Sequence, residues 1–182
     1  MKRTILAIAV FSVTAATQAA ESEQGWYVGG GPSYIDTGVQ SGDGGSVGFS
    51  AIELYSGYQY SALVGGEVRL GTGLSRDNAA ATINGERINI DYEIAYTASA
   101  YYRVQAQNEV AKIYGLFGLS SVGLDAFTET GDVSDTPTSY SYGVGIGFVL
   151  GERGSWNIEY RALLHNNDYE FDITALSYSY RF

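Results

Sequence analysis

The chain has 182 residues, with 10 Lys and Arg against 20 Asp and Glu, and no cysteine. The acid excess makes it a poor ligand for nucleic acid, which is held mainly by basic side chains on phosphate. Without thiols, neither a disulfide framework nor a thiolate metal site can form. Sixteen Tyr, 24 Gly and only two Pro point to all-β structure.

Lys2 and Arg3 precede an apolar run from Ile5 to Val13, followed by small residues that include Thr17 and Ala19. This is the pattern of a secretory signal peptide over residues 1–19, too short to span a bilayer as a helix. Cleavage after Ala19 leaves one domain, residues 20–182. It has 8 of the 10 basic residues and all 20 acidic ones, a net charge of −12. Past the signal no run of about 18 apolar residues occurs, which excludes a membrane protein built of helices.

The first two strands are expected at Gly25 to Ile35 and Val47 to Tyr60, with weak alternation. Val64 to Leu74 alternates Val64, Val68, Leu70 and Leu74 with Glu67, Arg69, Gly71 and Gly73. The clearest case is Ile88 to Arg103. Its even positions (Ile88, Ile90, Tyr92, Ile94, Tyr96, Ala98, Ala100, Tyr102) are apolar or aromatic, and its odd positions carry Asp91, Glu93, Thr97 and Arg103. A period of two belongs to a strand with unlike faces. Val110 to Ala126 is a fifth strand, but Ile113, Phe117 and Leu119 compete with Tyr114, Leu116 and Val122, leaving its faces unassigned. Tyr140 to Leu150 sets Tyr142, Val144, Ile146 and Phe148 against Gly143, Gly145 and Gly147. Ser155 to His165 sets Trp156, Ile158, Tyr160, Ala162 and Leu164 against Asn157, Glu159, Arg161, Leu163 and His165. The last strand alternates Leu176, Tyr178, Tyr180 and Phe182 with Ala175, Ser177, Ser179 and Arg181.

Eight strands, an even number, suit an antiparallel up-and-down transmembrane β-barrel with lipid outside and a polar interior. The connections alternate in length. Residues 60–62, 105–109 and 151–154 are turn-like, whereas 36–46, 75–87 and 127–138 read as longer polar loops, which in such barrels face outward and leave both termini in the periplasm. Trp26, Tyr27, Tyr58, Tyr60, Tyr102, Trp156, Tyr178 and Tyr180 fall near strand ends, where interfacial girdles belong. A soluble sandwich or lipocalin-like barrel shares the alternation but reverses its sense. The terminal aromatic pattern and the girdles favour lipid outside.

Glu53, Glu67, Arg69, Asp91, Glu93, Arg103, Glu159 and Arg161 lie on the polar faces. An eight-stranded lumen can be filled by side chains, and unpaired charges there are costly, so a buried charge network is expected. Acidic side chains lining a narrow cation-preferring pore are the alternative. Gly143, Gly145 and Gly147 lie within a strand rather than before a helix, so they make no phosphate cradle; they leave room for large neighbours such as Arg or Tyr.

From Tyr101 to Phe182 the chain resembles the OmpX/Ail group of small outer-membrane proteins, and more loosely the OmpA-like membrane domain. The matching pieces are Ala100-Tyr101-Tyr102-Arg103, Ile113 to Gly118, Ser141 to Gly145, Trp156 to Tyr160 and Tyr180-Arg181-Phe182, with Gly25 to Gly31 similar to the first strand of many such barrels. The resemblance implies an outer-membrane location in a Gram-negative bacterium and lipid and lipopolysaccharide as surroundings. It also implies that the barrel-assembly machinery recognises Leu176, Tyr178, Tyr180 and Phe182. It allows adhesion or another surface interaction without establishing one. His165 lies where lipid A deacylases of the PagL type carry His-x-Ser, but residue 167 is Asn. A nucleophile for the imidazole to activate is thus missing, and one histidine cannot build a metal site. No catalysis and no cofactor are expected. The outer segments hold Asp36, Asp43, Asp77, Glu86, Asp125, Glu129, Asp132 and Asp135 against Arg76 and Arg87, an acidic rim without the basic clusters that anionic glycans require.

Overall fold

In a computed structural model the described residues are 24–38, 46–83, 86–128, 131–165 and 170–182. At 37–38, 46–47, 76–83, 86–93, 124–128, 131–134, 164–165 and 170 the description covers the backbone only. The signal peptide expected over residues 1–19 lies outside the described residues.

Ten strands follow one another: β1 (Gly25–Gly38), β2 (Ser46–Gln59), β3 (Val64–Gly73), β4 (Arg76–Ile83), β5 (Glu86–Gln107), β6 (Ala111–Thr128), β7 (Gly131–Asp135), β8 (Thr138–Leu150), β9 (Gly154–His165) and β10 (Glu170–Arg181). They make eight barrel staves, because β3 runs on into β4 and β7 into β8 with only residues 74–75 and 136–137 between. Every neighbouring pair is antiparallel, and the ring closes where β1 pairs β10. Closure removes the free edges that an open sheet would present. The β1–β10 register passes from Gly30↔Tyr178 to Ser33↔Ala175 and omits Gly31 and Pro32, where proline offers no amide to the ladder.

The stretches 75–87 and 127–138, expected as loops, are largely β4 and β7. They pair with the far ends of β5 and β6, through Asp77↔Tyr92 and Ala126↔Val133 for example. β5 and β6 pair with each other there through Asp91↔Phe127. The order β4-β5-β6-β7 thus forms a four-stranded extension opposite the end that carries the termini. A stave needs about 9–11 residues to cross the hydrocarbon, and β5 has 22, so about half of it stands beyond the lipid.

Outward-facing side chains are apolar nearly throughout: Leu54, Val68, Leu70, Phe117, Val144, Ile146, Ile158 and Leu176 are all exposed. Trp26, Tyr60, Tyr102, Trp156, Tyr178 and Tyr180 are exposed as girdle residues should be, and edge-to-face pairs link Trp26 with Tyr58 and Trp156 with Tyr178. Tyr27 is the exception. It points inward and is buried, because it alternates with Trp26 and Val28 on the same stave.

On β6, the strand whose faces the sequence left open, Lys112, Tyr114, Leu116, Ser120 and Val122 are buried, while Ile113, Phe117 and Leu119 are exposed. The pattern looked mixed because Leu116 and Val122 are apolar residues facing inward. On β5 the register shifts between Ile94 and Tyr96. Tyr96 is exposed but Ile94 is fully buried, which corrects the single even face drawn from Ile88 to Tyr102. A bulge adds one residue and turns the side chains beyond it to the other face. Ala162 is also buried rather than lipid-exposed, and Leu163 is buried beside it. The β9–β10 register shifts nearby, between Phe171 and Asp172.

Candidate functional site

Three acids and three bases meet inside the barrel. Glu53 comes from β2, Glu67 and Arg69 from β3, Arg103 from β5, and Glu159 and Arg161 from β9; all six are buried. Alternation on four staves delivers them to one level.

Arg69 is the hub. Its Nε donates to Glu67 Oε1 at 2.5 Å, and its Nη1 and Nη2 form a two-pronged bond to Glu159 at 2.7 and 2.8 Å. Nη1 also lies 4.0 Å from Glu53 Oε2. Arg103 Nη1 donates to Glu67 Oε2 at 2.9 Å. Arg161 Nη2 donates to Glu53 Oε2. Its Nε stands 2.6 Å from Glu159 Oε1, an ion pair whose angle makes no hydrogen bond, so that Nε finds no formal partner. With three charges of each sign the described cluster is neutral. The charge network expected from the sequence also included Asp91 and Glu93, whose side chains lie outside the described ones.

Four inward tyrosines complete the cluster, and the sequence reading did not single them out for this role. Tyr27 Oη donates to Glu67 Oε2 at 2.8 Å and Tyr114 Oη to Glu159 Oε2 at 2.9 Å. The Arg69 guanidinium carbon sits 4.7 Å from the Tyr55 ring centre, and that of Arg103 sits 3.8 Å from the Tyr114 ring centre, within cation–π range. Tyr101 Oη shares hydrogen bonds with Ser120 and Ser141 at 2.9 and 2.8 Å. The strict alternation of each tyrosine with outward residues was the signal available for them. The glycines opposite make the space. A Cβ on Gly143 would run into Arg161, one on Gly145 into the Tyr114 ring, and one on Gly147 into Lys112.

Towards the extension the interior changes character. Ile35, Phe49, Ala51, Ile94, Val122, Leu163, Phe171, Ile173 and Ala175 form one buried apolar cluster. On β2 the inward positions read Tyr55, Glu53, Ala51, Phe49 in that order, so the apolar layer sits directly above the charged one. His165 closes β9, pairing through its backbone with Glu170; its side chain lies outside the described ones. Among the described residues no group of His, Cys, Asp and Glu is arranged to hold a metal.

The family model described as outer membrane protein beta-barrel domain matches residues 5–182. The chain belongs to that family. It is an outer-membrane β-barrel protein. Among solved structures, Ail of Yersinia pestis in complex with the heparin analogue sucrose octasulfate is 20% identical, with 88% of this chain and 99% of that one covered at a TM-score of 0.64. Neisserial surface protein A is 12% identical, covering 91% and 100% at 0.61. The outer-membrane protein OprG of Pseudomonas aeruginosa is 13% identical, covering 86% and 95% at 0.59. At these identities the likeness is one of fold. Curated protein sequences gave no significant match.

Leu176, Tyr178 and Tyr180 face outward on β10, and Phe182 just past its end is 69% exposed and edge-to-face with Tyr180. We propose that this apolar stripe is what the assembly machinery reads. Phe182→Ala should lower the amount of heat-modifiable folded protein in the outer membrane, measured by unboiled gel shift. Unchanged levels would contradict it.

Proposed function

We propose that this protein is a non-catalytic surface barrel. Its lumen is closed by side chains, both termini lie in the periplasm, and the β4-β5-β6-β7 extension is held outside the cell as an interaction surface. The observation that carries the reading is the asymmetry of the staves. Turns at residues 60–63, 108–110 and 151–153 are short at the end with the termini, whereas β5 and β6 run far past the hydrocarbon at the other. Short turns face the periplasm in barrels of this kind. The strands β4 and β7 each pair on one side only among the described residues, and such edges are sites at which extended partners add strands.

The charged and apolar layers support a closed lumen, since both occupy the barrel's cross-section one above the other. A narrow cation-preferring pore remains the competing reading. The Ail structure holds a polyanion, but the outer segments of this chain are predominantly acidic, so a polyanion finds little complement there. Outer-membrane lipid and lipopolysaccharide are the expected surroundings of the apolar belt, and cleavage of residues 1–19 precedes assembly.

Single cysteines test the orientation. At Ser41, Asn84 (both outside the described residues) or Asp132 on β7, cysteine should react with an impermeant maleimide on intact cells. At Gln107, beside a short turn, it should react only after the outer membrane is permeabilised. The reverse pattern would overturn the reading.

A further inference from the structure

At the end of the barrel that carries the termini, the lumen opens into a cavity of about 40 Å³. Its walls include Arg103, Lys112, Arg153 and Arg181, with Glu152 as the acidic side chain among the described residues that line it. The neutral cluster described above already uses Arg103, through Glu67. Lys112 and Arg181 form no ion pair among the described residues. Lys112 is buried, and its Nζ donates to Ser155 Oγ at 2.6 Å, leaving two of its three donors unused. Gln105 is buried too, and its Oε1 accepts from Arg103 Nε at 3.1 Å. A guanidinium only donates, which fixes the amide so that Nε2 is the other atom, and that Nε2 has no hydrogen-bond partner.

The cavity wall therefore offers unpaired donors and surplus positive charge, with one carboxylate, Glu152, against four cationic side chains. A buried ammonium without a counter-charge is costly, and an anion supplies both the charge and the acceptors. We propose that this cavity binds the phosphate group of a small ligand, with Lys112 and Gln105 Nε2 as donors and Arg181 and Arg153 at the rim. Its volume corresponds to about three waters, enough for one oxyanion group and too little for a sugar or a base. Two sources share that chemistry: inorganic phosphate from solution and the headgroup of a neighbouring phospholipid.

The test uses the refolded full-length barrel in uncharged maltoside detergent, in a fixed chloride background. Titration with inorganic phosphate is followed by ³¹P line broadening and by calorimetry. In a second arm, phosphatidylglycerol is added to the micelles and followed the same way. Lys112→Gln should weaken binding about tenfold, the loss of one charge-assisted bond. Glu152→Gln, which removes the acid at the rim and leaves the buried layers alone, should strengthen it. Gln105→Glu should abolish it and serves if Lys112→Gln does not fold. Binding in the first arm with these effects supports free phosphate as the ligand, and binding confined to the second arm with the same effects supports a lipid headgroup. Absence of binding in both arms, or binding that ignores all three substitutions, overturns the proposal.

Discussion

Arg69→Ala should cost the folded barrel about 3–5 kcal/mol, the scale seen when one member of a buried ion cluster is removed. Arg69 alone touches Glu67, Glu159 and Glu53. Its loss strands two carboxylates whose remaining partners, Arg103 and Arg161, cannot replace a two-pronged bond. Attraction and desolvation nearly cancel in such clusters, so an intact network adds little net stability. The damage comes from leaving charge behind. Arg69→Met with Glu159→Gln should accordingly be less harmful than Arg69→Ala, because it removes a charge of each sign and keeps most of the volume. Urea titrations of folded protein in lipid vesicles measure both. If the double variant proves the weaker, the charges are not coupled as the geometry requires.

The second large effect lies on the opposite face of the wall. Val144 sits mid-stave between Gly115 and Tyr160, 62% exposed. Val144→Arg should destabilise the barrel in bilayers by about 2–4 kcal/mol, as arginine does at the midplane of such proteins, and the cost should fall to about 0–1 near the interface. Val110, exposed in the turn before β6, provides the comparison through Val110→Arg. Equal costs for the two would mean that the apolar face does not meet lipid.

The sequence made the staves legible because a barrel wall has a greasy side and a polar side, and strands print that difference with a period of two. Tyr142, Val144, Ile146 and Phe148 against three glycines could hardly be read otherwise. The same rule placed Glu67, Arg69, Glu159 and Arg161 on inward faces. It failed where its assumption failed. The interior near the extension is apolar, so Leu163, Phe171 and Ile173 gave no polar signal, and the bulge beside Ile94 moved a residue across the wall without any mark in composition. The outer hairpins were mistaken for loops because Arg76 to Ile83 and Gly131 to Asp135 carry no apolar–polar period of two in the sequence. Tyr27 was mistaken for a girdle residue because its neighbour Trp26 is one. Its partner Glu67 lies 40 positions away, a contact that only the closed ring creates.

The central claim is that side chains close the lumen, and single-channel recording in planar bilayers tests it most directly. The refolded protein should insert without steady conductance, and Glu67→Gln should leave the trace flat. Stable, cation-selective channels from the unaltered protein, lost on Glu67→Gln, would show that the acidic layer lines a pore and would contradict the account.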